Sequence, residues 1–209
     1  MKDIKKISFI ALAAMAAISF FNLFGLPIAG LTVPIGVVFF FLDKGKTPFA
    51  QSGLGFKGIG KALSDKRIWF WLASPLLMNI VALGLAKLIM PEFIDHVLAR
   101  TAGLLSFNKI ALLTVQLAVF AVLEEIAWRA FFQDQLHKAI PAPLAVLFSS
   151  VLFGLAHVAA GNPAVVIYDV FFVIVNSCLY GVIFHKTNNA WVSAIAHFAA
   201  NLFSVIVLL

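Results

Sequence analysis

The side chains that could do chemistry are concentrated in the C-terminal half of this 209-residue chain: Glu124-Glu125-x-x-x-Arg129, then His157, then His197-x-x-x-Asn201. A glutamate and a histidine held together can bind a water and remove its proton. A second histidine with an asparagine can hold a developing oxyanion. Two histidines plus a carboxylate, here Glu124, His157 and His197, are also a common catalytic zinc set with an open fourth position. No HExxH is present, so the arrangement is not that of a zincin. Both designs, with zinc or another divalent metal or without one, predict hydrolysis of an amide or ester. Glu125 and Arg129 are four residues apart and share a helix face, so they can form an ion pair. Glu124 is rotated by about 100° from Glu125 and is left to titrate or bind something else.

The elements that carry these groups must sit in lipid. Hydrophobic residues make up 63% of the chain and charged ones only 11%, with a mean hydropathy of +1.05. An ordinary soluble domain carries roughly 25% charged residues. The expectation is an all-α polytopic transmembrane helical bundle of seven spans, or eight depending on how the first apolar run divides. Residues 7–42 contain a long uncharged run, broken by Gly25, Pro27, Gly30 and Pro34 into helices over about 7–25 and 28–42. The later spans are expected over 68–90, 109–137, 143–160, 163–184 and 189–209. Residues 1–209 read as a single integral membrane domain, with N-terminal spans and loops over 1–107 and a catalytic core over 108–209. The basic start resembles a signal-peptide n-region, but its apolar run is too long, and it reads as a retained anchor.

Depth brings the polar groups together. Glu124 lies 14 residues before Lys138, and His157 lies 14 residues after Pro143. Each is therefore roughly 21 Å from the turn between those helices. Asn201 sits roughly 18 Å in from Asn189, with His197 one turn shallower. A charge at the bilayer centre costs roughly 2.5–3.5 kcal/mol on insertion scales, so such groups face the bundle interior and mark function.

The formal charge of +6 is a matter of topology. Lys2, Lys5 and Lys6, and then Lys44, Lys46, Lys57, Lys61, Lys66 and Arg67, flank apolar runs and orient that side to the cytoplasm. Without interleaved aromatic residues they do not read as a nucleic-acid surface. The lone Cys178 allows no intrachain disulfide and reads as apolar packing. Asp169 reads either as support for the site or as a partner of Lys87 or a backbone donor. Asn176 reads as an interhelical hydrogen bond. His96, His137 and His185 are assigned no role, and no organic cofactor is expected.

Glu124-Glu125-x-x-x-Arg129, Phe153-x-x-x-His157 and His197-x-x-x-Asn201, in order on successive helices, resemble the CAAX protease and bacteriocin-processing family, which includes type II CAAX prenyl endopeptidases. Ser149, Ser150, Gly181, Thr187 and Trp191 fall where that family often places such residues. Trp128, Ala130 and Ser177 depart from its common Phe, Gly and Gly, and the departures touch packing only. The resemblance covers about residues 122–202. It implies an intramembrane endopeptidase in which Glu124 and His157 activate water, His197 and Asn201 stabilise the oxyanion, and Glu125 with Arg129 supports them. It leaves metal dependence open between zinc-type and glutamate-dependent readings.

The expected function is peptide-bond hydrolysis of a membrane-delivered peptide or prenylated-protein tail, in a bacterial plasma (inner) membrane with the N-terminus cytoplasmic. The partners are then the substrate and the lipid bilayer, with no nucleic acid. A non-catalytic bacteriocin immunity or scaffold protein could keep the same fold, and a proton-coupled transporter would also bury Glu, His and Arg. A transporter would more often show paired repeats and broken helices, which the sequence lacks.

Overall fold

The computed structural model describes residues 4–103, 105–107 and 109–208, and those residues form helices and short connections with no strand among them. Nine helices carry the architecture of the described residues. They are α1 (Lys6–Phe21), α2 (Thr32–Lys44), α3 (Lys57–Ser64), α4 (Lys66–Ile89), α5 (Phe93–Thr101), α6 (Ile110–Ala139), α7 (Ala142–Leu155), α8 (Pro163–Thr187) and α9 (Ala190–Leu208).

Among the described residues, five helical stretches are long and apolar enough to cross a membrane: Lys6–Phe24, α4, α6, α8 and α9. Two of the seven expected spans fall short. The expected helix over 28–42 is the 13-residue α2, and the one over 143–160 is the 14-residue α7. At 1.5 Å per residue these reach only about 20 and 21 Å, against a hydrocarbon core of about 30 Å. Apolar runs in the sequence do not stop where the helices do, because Ile28 to Leu31 and Ala156 to Ala159 leave the helix while staying uncharged. The polar connections also hold more structure than expected, since α3 and α5 lie within them.

Local chemistry accounts for several boundaries. The Asp65 side chain accepts the Arg67 backbone N–H at 3.0 Å and starts α4. Asn162 does the same for Ala164 ahead of Pro163, which has no N–H to satisfy at the first position of α8. That helix ends on Asn188 in the left-handed region, φ 47°.

The core gathers around the second half of α6, where Ile126–Gln133 widens into a π-helical stretch and all eight residues are buried. Helix α2 packs on this stretch, α9 packs on the first half of α6, and α4 lies against both α8 and α9. Close approach of α2 depends on Gly36: a Cβ there would stand 2.6 Å from the Ala127 Cβ and 2.8 Å from its Cα. Helices α7 and α8 meet in the same way at Gly154, where a Cβ would collide with the Ile174 side chain.

At the basic end three helices are tied through Asp43. Its carboxylate lies 2.8 Å from Lys5 Nζ and 3.5 Å from Lys138 Nζ, and accepts from Gln135 Nε2 at 2.7 Å. Lys44 pairs with Asp134 at 3.1 Å beside it. Burial pushes the Asp43 carboxyl up, but the Lys5 hydrogen bond, the Lys138 charge and the Gln135 donor outweigh it and hold the group below the usual range.

A carboxyl held low in the fold stabilises above its unfolded-state value and loses that contribution as pH falls through the folded one. Thermal unfolding in detergent should therefore show Tm falling as pH drops below about 4. Asp43→Asn should lower Tm at pH 7 and flatten that acid limb; an unchanged limb would contradict the assignment. Gly36→Leu should cost about 1–3 kcal/mol or more through overpacking against the Ala127 backbone.

Candidate active site

Arg129 is the most deeply buried charge of the site and touches three helices. Its Nε lies 3.4 Å from Glu125 Oε2, with the two side chains 0% and 1% exposed. Its Nη2 donates to Ser177 Oγ on α8 at 2.7 Å, and its Nη1 to Ser149 Oγ on α7 at 3.4 Å. The guanidinium also lies 5.4 Å from the centre of the Phe153 ring. Ser149 passes its own hydroxyl proton to the Val146 carbonyl at 3.1 Å, which leaves its oxygen free to accept from Arg129. The i, i+4 pair expected from spacing thus forms. Ser177, read from sequence as a packing change, is in fact a hydrogen-bond partner of Arg129.

Glu125 hands this restraint on to His197. Its Oε1 is 3.0 Å from His197 Nδ1. A carboxylate paired with arginine is an acceptor, so the imidazole donates through Nδ1–H, and Nε2 points elsewhere. That direction is toward Glu124, whose Oε2 is 3.6 Å from Nε2. The ring is clamped by Tyr180, stacked at 4.3 Å and 16°, and stands edge-on to Phe153 with centroids 6.3 Å apart. Glu124, on the neighbouring face of α6, retains 20% side-chain exposure and makes no contact with Arg129 of the kind Glu125 does.

His157 lies just beyond the end of α7, in a turn closed by its own backbone N–H donating to the Gly154 carbonyl at 2.9 Å. Its Nδ1 is 2.7 Å from the Phe153 carbonyl. A carbonyl can only accept, so Nδ1 carries the proton and Nε2 has the lone pair. The Phe153 ring stands 4.4 Å from His157, which places that phenyl against both imidazoles. Asn201 is half-buried one turn beyond His197 and makes no hydrogen bond within the described residues. The structure therefore places Glu124, Glu125, Arg129 and His197 in direct contact. His157 reaches the group through the Phe153 ring, which faces both imidazoles, and Asn201 lies one turn beyond His197 on α9.

Other groups fall differently from their sequence readings. Asp169 pairs with neither Lys87 nor a backbone donor. It lies 3.0 Å from Arg100 Nε and 3.3 Å from His96 Nε2, both on α5. His96, assigned no role from sequence, is thus half of what fastens α5 to α8. Asn176 does make the expected interhelical bond, donating to Asn79 Oδ1. Asn79 in turn donates to the Ala200 carbonyl at 2.9 Å and to Ser204 Oγ at 2.8 Å. Asn79, Tyr180, Arg100 and Asn22 were not among the sequence candidates. The signal available for Asn22 and Asn79 was a carboxamide inside an apolar run.

A divalent metal would need oxygen or nitrogen donors, and Glu124 with Nε2 of His157 and of His197 is chemically suited to supply them. Within the described residues, however, no group of three or more His, Cys, Asp and Glu side chains is gathered closely enough to hold an ion. The donor set has the right chemistry without the required convergence, so no step below is routed through a metal.

Residues 106–203, which hold every one of these site residues, match the family model described as Type II CAAX prenyl endopeptidase Rce1-like. No curated protein and no solved structure matches the chain.

The buried pair sets an energetic expectation. Removing one partner of such a pair costs about 3–5 kcal/mol because the other charge is left uncompensated. Arg129→Met should show this loss in chemical or thermal unfolding. Arg129→Lys should be nearly as damaging, since one ammonium cannot reach Glu125, Ser149 and Ser177 together. A lysine variant of wild-type stability would contradict the three-way role.

Proposed function

Because residues 106–203 match the Rce1-like type II CAAX prenyl endopeptidase family model, we propose that this membrane protein is an intramembrane endopeptidase that hydrolyses a peptide bond with a water activated at Glu124. The observation that carries the reading is the chain Arg129–Glu125–His197–Glu124, in which a buried ion pair orients an imidazole toward a second carboxyl.

In this mechanism Glu124 accepts a proton from water as the water oxygen attacks the scissile carbonyl carbon. The lone pair on His157 Nε2 accepts the water's other O–H and orients it. The carbonyl π electrons move onto oxygen, and the resulting oxyanion needs donors. Asn201 supplies carboxamide N–H groups that have no competing partner in the described residues. His197 Nε2 supplies a further donor once it takes the proton from Glu124, and the resulting imidazolium faces Glu125, itself held by Arg129. This repeats the logic by which a buried carboxylate orients and stabilises a catalytic histidine. Collapse of the tetrahedral species breaks the C–N bond, and the proton passes to the leaving amine. The products are one carboxylic acid and one amine.

The substrate class proposed is a membrane-delivered peptide, either a prenylated tail or an unprenylated bacterial peptide. The setting proposed is a bacterial inner membrane with the basic end in the cytoplasm. The gathering of Lys5, Lys44 and Lys138 at one end supports that orientation.

Kinetics on purified protein in lipid test the assignments, using fluorogenic peptides with and without a prenyl group. Glu124→Ala and His157→Ala should each abolish turnover with the protein still folded. Asn201→Ala should lower kcat by about 10²–10³ through loss of an oxyanion donor. A chelator should leave the rate unchanged if Glu124 and the imidazoles act alone; loss restored by added zinc would replace this mechanism with a metal-dependent one. Full activity of the Glu124 and His157 variants would overturn the proposal.

A further inference from the structure

Helix α7 stops among half-buried residues, and a helix end leaves carbonyls without partners along the chain. The amides are satisfied by a last α-helical bond, Ala156 N–H to Leu152 O at 3.0 Å, and by two tightened turns, His157 to Gly154 at 2.9 Å and Val158 to Leu155 at 3.2 Å. The carbonyls of Ala156 and Val158, one on each side of His157, are taken up by a single distant side chain. Asn22, at the end of α1, donates both protons of its carboxamide, to Ala156 O at 2.8 Å and to Val158 O at 3.1 Å.

We propose that Asn22 is a positioning residue for His157: its two hydrogen bonds fix the peptide planes on either side of the histidine and thereby aim the imidazole. This rests on reading His157 as part of the hydrolytic site. The ring has one restraint of its own, the Nδ1–H bond to Phe153 O. That bond fixes the tautomer and leaves the backbone beneath the ring to Asn22. The anchor is stiff, because Ala11, Leu12 and Met15 of α1 are buried in the same cluster as Phe153, with Leu152 and Ala156 packed against it.

Two features mark the contact as directional. The Asn22 Oδ1 is buried and meets no donor in the described residues, so the carboxamide serves here through its N–H groups alone. Both protons come from one nitrogen, which an aspartate of the same shape could not replace. Asn22 also lies well before residues 106–203, so the N-terminal part of the chain completes the geometry of a site otherwise built within that region.

The test compares wild type with Asn22→Leu, which keeps the volume and removes the donors, and with Asn22→Gln, which keeps a carboxamide. Three readouts are taken on the full chain in lipid: kcat and KM on a cleaved peptide, Tm, and solvent exchange of the His157 Nδ1 proton. The last is followed by ¹⁵N NMR of histidine-labelled protein and assigned by its loss in His157→Gln. Asn22→Leu should lower kcat about ten- to a hundredfold, as a small misplacement of a reacting group does. KM should stay within about twofold, since ground-state binding is untouched. Exchange at His157 Nδ1 should quicken, and Asn22→Gln should recover part of kcat. Unchanged kcat and exchange in Asn22→Leu would overturn the proposal. So would a loss of kcat that merely follows a fall in Tm and is not recovered by glutamine. If wild type cleaves nothing in a Glu124-dependent way, the hydrolytic reading fails, while the exchange measurement still decides whether Asn22 holds His157.

Discussion

A guanidinium with no access to water has to be satisfied entirely by the protein around it, and much of this fold follows from how Arg129 is satisfied. Its partners come from three helices: Glu125 one turn back on α6, Ser149 on α7 and Ser177 on α8. Each bond restrains one helix against the π-helical stretch that carries Arg129. The widened turn buries all eight of its residues, so the stretch acts as an axle on which α2, α7 and α8 are mounted. A π-bulge is an uncommon device, found mostly at functional sites.

The same constraint supplies the electrostatics. Glu125 is paired with Arg129 and accepts from His197, which sets the histidine tautomer and turns its second nitrogen toward Glu124. With Arg129 fixed, the orientation of the buried Glu125 and His197 side chains follows, and His197 in turn faces the partly exposed Glu124. Such preorganised groups need little rearrangement when charge develops on a substrate. Tyr180 and Phe153 complete the arrangement by excluding water and spacing the two imidazoles.

Much of this was legible in the sequence, because polar groups are scarce in an apolar chain and each one must be used. The Glu125–Arg129 pair followed from helical spacing, and the meeting of Glu124 with His197 agrees with the depths that rise per residue gives. Helix lengths were less legible. Nothing in the uncharged segment around Ala156 reports that α7 stops short, since its free carbonyls are taken up by a tertiary contact from Asn22. The π-helical stretch is hidden for the same reason: Ile126 to Gln133 read as ordinary helix. The partners of Asp169 were not legible because they lie on α5, in a segment taken to be a loop. Asn22 was visible as a polar interruption, but its targets are backbone carbonyls, which leave no mark in a sequence.

The central claim is that water attacks the peptide bond directly, with Glu124 removing its proton. A single turnover in H₂¹⁸O, with enzyme in excess over a membrane-delivered peptide and products weighed by mass spectrometry, tests this most directly. The account predicts one ¹⁸O in the new carboxylate from the first turnover, and no product from Glu124→Gln. A first-turnover product carrying only ¹⁶O would show that a protein carboxylate had attacked instead. Product formed equally by Glu124→Gln would remove Glu124 from the chemistry altogether.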